Sequence, residues 1–203
     1  LAGRDLEVVK KGFKGYFEGV LELFSSYGVP DSELEAIRSI HPVARLERAY
    51  DELADVARPL EEGSLRVGNS ALTVIELPGH TPGHVIFELN DSSAIVGDVL
   101  LNDITPTVML DSRSPGRDPL GDYMSSLRRL KDLNLSLLRP GHGAEIRSPA
   151  LRADELLRHH EERLQEITSL LRAAREPVDL VSIASRIRWR TLANRWSDMG
   201  AYE

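Results

Sequence analysis

Three of the six histidines stand in glycine-flanked turns: His80 and His84 in Pro-Gly-His-Thr-Pro-Gly-His at 78–84, and His142 in Pro-Gly-His-Gly at 140–143. Asp98 is placed in the same way, following Gly97 directly behind an apolar run. Glycine lets the chain bend sharply at such points and leaves the neighbouring side chain at the rim of the element it follows. Imidazoles and a carboxylate gathered at one rim form a ligand shell that zinc or iron accepts. The sequence has no cysteine, so thiolate ligation is excluded and a metal would rest on nitrogen and oxygen alone. An aspartate suits a position where two cations, ~3.5–4 Å apart, share one anionic ligand and activate a water between them.

For these turns to meet, the segments before them must be strands of one sheet. Short β-branched runs at 65–67, 72–77, 85–89 and 94–96 are separated by Gly-Asn-Ser, by the 78–83 turn and by Asn-Asp-Ser-Ser at 90–93, the last a hairpin connection. Asp118 and Pro119 open a helix with residues suited to its N-cap and first turn. Its apolar face (Leu120, Tyr123, Met124, Leu127, Leu130) leads to a strand at 135–138, which ends in the His142 turn. Strand–helix–strand order predicts an α/β layered domain.

Ahead of the strands, residues 5–57 read as a helical cap. Leu6, Val9, Phe13, Phe17, Val20, Leu21 and Phe24 describe one buried face of a helix that breaks at 25–30. Asp31 is the expected N-cap of the next helix, and another follows Pro42. Behind the strands a long helix runs from Pro149 to about Arg175, with Leu151, Leu156, Leu157, Leu164, Ile167, Leu170 and Leu171 on its stripe; a second begins at Asp179. The expected boundary near 148–150 divides a domain of 1–150 from a helical appendage of 151–203.

Lysine and arginine number 25 against 32 aspartates and glutamates, a net charge of −7. That balance argues against a surface that binds nucleic acid everywhere. No apolar run approaches the ~18–20 residues of a membrane span, so no membrane partner is expected. The absence of cysteine also removes any disulfide framework and suits a cytoplasmic enzyme. The sequence opens at Leu1 without a methionine and stops at Glu203 behind an aromatic and basic segment, and both ends are expected to continue in the intact protein.

The succession strand, Gly-His-Thr-Pro-Gly-His, strand, turn, strand, Gly-Asp, helix, strand, Pro-Gly-His-Gly resembles the second half of the metallo-β-lactamase superfamily. It is most similar to the glyoxalase II-like and β-lactamase-like endoribonuclease branches. The likeness is close over 60–175 and includes Asp-Tyr-Met-Ser-Ser-Leu at 122–127 and His-His-Glu-Glu-Arg-Leu at 159–164, with 5–57 resembling the insertion of some bacterial members. It implies an α/β fold, the C-terminal portion of the αββα sandwich, with a partial winged-helix-like appendage. It also implies roles: His80 as a ligand of a first metal, Asp98 as the bridge, and His142 as a ligand of a second. His84 would line the site or support it from behind, and the 104–107 segment, Thr105 within it, would border the cleft. Two divalent metals are implied, zinc foremost, with iron and manganese as alternatives.

The family's His-X-His-X-Asp-His motif, which supplies the other ligands, occurs nowhere in the sequence and is expected upstream of Leu1. His80, Asp98 and His142 then make up about half of a dinuclear site. His41, with Pro42 behind it, reads as a capping or surface residue, and His159 and His160 read as part of a solvated charged helix face.

The reaction implied is hydrolysis by a metal-bound hydroxide, without a covalent intermediate; no nucleophile elbow is present. The first substrate class is a thioester or other acyl compound, as in glyoxalase II, suited by the acidic composition and by a helical cap that could shape a pocket. The alternative is an endoribonuclease or phosphodiesterase acting on RNA, for which Arg186, Arg188 and Arg190, interleaved with Trp189 and Trp196, could grip phosphates and stack on bases. Residues 151–203 nevertheless hold nine arginines against nine aspartates and glutamates, giving no net positive field. A third reading is a non-catalytic scaffold with residual metal ligands. A homo-oligomer is compatible with each.

Overall fold

The computed structural model describes residues 3–10, 12–40, 43–108, 110 and 116–187. Four helices come first: α1 (Gly3–Lys10), α2 (Phe13–Ser26), α3 (Asp31–Ile40) and α4 (Val43–Val56). Strands β1 (Gly63–Val67), β2 (Ser70–Glu76), β3 (Val85–Glu88) and β4 (Ser93–Gly97) follow. Then come α5 (Pro119–Asp132), β5 (Leu137–Pro140), α6 (Pro149–Ala173) and α7 (Leu180–Arg186).

The five strands form one sheet in sequence order. β1 to β4 are an antiparallel meander, with Val74 opposite Phe87 and Phe87 opposite Ile95. β5 joins β4 in parallel after the α5 crossover. This topology sends the ends of β2, β4 and β5, and the start of β3, to the same edge. The turns that carry the histidines and the aspartate therefore open on one rim. Beside that rim the β4–β5 register slips between Ile95 and Gly97, the kind of irregularity that re-aims a strand end next to a site.

One face of the sheet carries the core. Ile75, Leu77, Ile86, Ala94, Val96 and Leu138 pack beneath Tyr123, Met124, Leu127 and Leu130 of α5 and Ala153, Leu156 and Leu157 of α6. The opposite face is covered in part: Val74 and Ser93 are buried, Leu72, Phe87 and Leu137 are half-buried, and Ile95 is 46% exposed. A second, smaller cluster joins Tyr16, Phe17 and Leu21 of α2 to Leu34 of α3. Among the described residues no helix is long and apolar enough to cross a membrane.

The expected elements are present, with four differences. The single helix read through residues 6–24 is two helices: Gly12 takes φ 81° and ψ 144°, a conformation that cannot continue an α-helix. Asp31 lies inside α3 rather than capping it, because the carbonyl of Pro30 already accepts from the amides of Glu33 and Leu34. Leu151, Leu164 and Leu171 of α6 are exposed; the helix has only its sheet-facing side covered, chiefly over its first three turns. His160 does not lie on a solvated face but turns inward, its ring edge-on to Tyr123 with centroids 5.5 Å apart. Asp118 caps α5 as expected, and Asp179, where the last helix was expected to begin, caps α7, each accepting from a backbone amide three residues on.

Candidate metal centre

Residues 78–84 link β2 to β3 as a self-bonded turn. The amides of Gly79 and His84 both donate to the carbonyl of Thr81, and the Leu77 amide donates to the carbonyl of His84. Ser126 of α5 holds the turn from below by donating to the Pro78 carbonyl at 2.7 Å. The His80 ring projects from this frame with Nδ1 2.8 Å from the carbonyl oxygen of Thr107. A carbonyl only accepts, so Nδ1 donates there, and in the neutral ring it is Nε2 that carries the lone pair a metal would take. Fixing one ring nitrogen on a carbonyl is how proteins orient a histidine for a metal.

Asp98 follows β4 and His142 follows β5. The Gly141 amide donates to the Gly97 carbonyl at 2.8 Å, drawing the two turns together. The result is a convergence on one oxygen: Asp98 Oδ2 lies 3.7 Å from His80 Nε2 and 3.5 Å from His142 Nε2. Two ligands of one tetrahedral zinc, each ~2.0–2.1 Å from it, stand about 3.3 Å apart, so both spacings suit a shared cation on either side of Asp98. The other oxygen, Asp98 Oδ1, is buried and has no hydrogen-bond partner among the described residues. A carboxylate oxygen kept out of water without a donor suits a cation that completes its shell. The donor set therefore fits divalent metals. Among the described residues no three such side chains close into a group that would hold a metal alone.

His84 lies behind this set. The backbone amide of Asp98 donates to His84 Nε2 at 3.3 Å. Burial, with the His80 ring beside it, pushes the His84 pKa down to about 4. A neutral ring can accept from that amide, and its own Nδ1 is buried without a partner among the described residues.

Thr105 is exposed, and two residues further on Thr107 touches His80. The segment they belong to is strapped down by Arg152 of α6, whose guanidinium donates to the carbonyls of Leu101 (2.8 Å) and Ile104 (3.0 Å). Further along, Tyr16 of α2 donates to the Leu110 carbonyl. Neither Arg152 nor Tyr16 was visible as a site-supporting residue in the sequence, because each acts on main-chain carbonyls far from it along the chain. Asp5 of α1 was equally silent; it accepts from Thr81 and Gly83 inside the histidine turn. Arg186 is exposed at the end of α7, remote in sequence from the turns. Arg188, Arg190, Trp189, Trp196 and His41 lie outside the described residues.

Residues 8–142 match the family model of the Metallo-beta-lactamase superfamily, and the chain belongs to that superfamily. It is 33% identical over 137 residues to the Beta-lactamase-like protein 2 homolog of Caenorhabditis elegans, covering 66% of this chain and 43% of that protein. It is 27% identical over 154 residues to the Probable metallo-hydrolase YqjP of Bacillus subtilis, covering 74% of this chain and 47% of that protein. Among solved structures, a metallo-beta-lactamase family protein of Thermus thermophilus superposes with a TM-score of 0.56 at 34% identity, over 62% of this chain and 41% of that one. A beta-lactamase domain protein of Burkholderia ambifaria gives 0.57 at 29% identity, over 66% of this chain and 43% of that one. The chain thus spans less than half the length of these relatives.

Proposed function

We propose that the intact protein is a metal-dependent hydrolase of thioesters or related acyl compounds, with zinc as the metal at a centre to which His80, Asp98 and His142 contribute. One observation carries the reading: two imidazole nitrogens that approach the same Asp98 oxygen, one of them with its proton fixed on the far side of the ring. When bound, divalent metals lower the pKa of a water towards ~7 and polarise the bond to be cleaved. The chain's own residues supply position. The Thr107 carbonyl holds His80 in one tautomer, His84 holds the Asp98 backbone, and the Arg152 strap keeps the 101–104 segment at the rim. The acyl preference rests on the net charge of −7, which disfavours a polyanionic substrate, and on the helical layer beside the rim. The ligand set contains no thiol and works in the reducing setting of the cytoplasm, which is the compartment we assign.

The test uses the intact protein loaded with zinc. Turnover of a model thioester, lost on treatment with a chelator and restored by zinc, is the expected result. Chelator-sensitive cleavage of RNA without thioester turnover would reverse the substrate assignment. A protein that takes up no metal and turns over neither substrate would leave only a scaffold.

A further inference from the structure

Between His80 and His84 the turn has two hydrogen-bond donors that its own carbonyls do not satisfy, the Thr81 hydroxyl and the Gly83 amide. Both go to one side chain. Asp5 Oδ2 accepts from Thr81 Oγ1 at 2.7 Å, and Asp5 Oδ1 accepts from the Gly83 amide at 2.9 Å. A carboxylate has two oxygens and no proton to give, so it matches a pair of donors one to one, and its charge strengthens both bonds. The fit is close. A Cβ at position 83 would fall 2.8 Å from the Asp5 amide nitrogen and 3.1 Å from Oδ1, so α1 meets the turn backbone against backbone. Contact of this kind fixes where the turn stands, and the turn fixes where His80 points.

We propose that Asp5 is a positioning residue for the metal centre, holding the His80–His84 turn on α1 so that His80 Nε2 is aimed at the cation. The inference rests on the metal-hydrolase reading. It assigns to the first helix a function that its amphipathic pattern does not suggest.

The test compares Asp5→Leu and Asp5→Asn in the intact protein. Leucine removes both acceptors at similar size. Asparagine keeps an oxygen for the Gly83 amide, while its NH2 can donate to the Thr81 hydroxyl, which accepts as readily as it donates. The readouts are competition with a chelator for cobalt(II), the visible spectrum of the cobalt form, and amide exchange at Gly83 in the metal-free protein. Asp5→Leu is expected to weaken metal binding about tenfold, to alter the cobalt spectrum and to speed Gly83 exchange, with Asp5→Asn recovering most of each. If Asp5→Leu does not fold, Asp5→Asn and Thr81→Val carry the comparison, with the larger loss expected for Thr81→Val. Wild-type affinity and an unchanged spectrum in a variant that has merely lost thermal stability would overturn the proposal. A wild-type protein that takes up no metal would sink the hydrolase reading instead. Gly83 exchange then decides for Asp5: faster in Asp5→Leu supports the hold on the turn, unchanged refutes it.

Discussion

Gly141 shows how little room surrounds the Asp98 carboxylate. A Cβ there would lie 2.7 Å from Asp98 Oδ1, the oxygen that has no partner among the described residues. Gly141→Ala must therefore push the carboxylate out of line with His80 and His142. We expect metal affinity to fall at least about tenfold while the metal-free fold loses no more than about 0.5 kcal/mol, because only the end of one side chain has to move. Metal titration and a denaturant midpoint measured on the same variant check both halves of that statement. At this scale the sequence was most informative about residues in glycine turns. His80, Asp98 and His142 stand out because a turn needs glycine and a ligand needs a rim, and both requirements are written locally. Asp5 and Arg152 carry no such mark. Each is an ordinary charged residue of a helix, and its role exists only because the fold brings a distant main-chain group to it.

The α5–α6 pair illustrates what the elements add. Their shared interface places the His160 ring against Tyr123, whose hydroxyl donates to the Val99 carbonyl one residue past Asp98. Burial, with His159 and Arg163 nearby, pushes the His160 pKa from 6.5 down to about 4. The folded state thus binds this proton less readily than the unfolded chain does. Stability from His160 is complete above pH ~6.5 and is lost as the pH falls through about 4. The ring keeps some contact with solvent, so the loss is on the order of 1 kcal/mol. Replacing it by His160→Phe should flatten the fall in unfolding free energy between pH 6.5 and about 4, as followed by denaturant titration at several pH values. The order of strands and helices was legible because period and turn chemistry are local properties. Which apolar residues of α6 are covered was not. A stripe of seven on a long helix describes a face, but only the packing of α6 on α5 and the core decides how many of its turns find a partner.

The described part of the molecule is a sheet with one face carrying the core and, on our proposal, three metal ligands at its rim. Two imidazoles and one carboxylate divided between two metal positions leave each shell open, since zinc takes four ligands. The 203-residue chain on its own is therefore expected to hold metal weakly, whereas the intact protein should retain close to two metals per chain. Elemental analysis after gel filtration compares the two, and tight binding of two metals by the chain alone would refute the divided-site arrangement. Strand order also bears on how the centre assembles in time. His80 and Asp98 belong to a meander of neighbouring antiparallel strands, whose contacts close short loops and form early. His142 comes into place only when α5 has docked and β5 has joined β4 in parallel, a step that closes a much longer loop. The His80–Asp98 half of the rim should then mature before His142 arrives, and a metal offered during refolding would meet the site one side at a time.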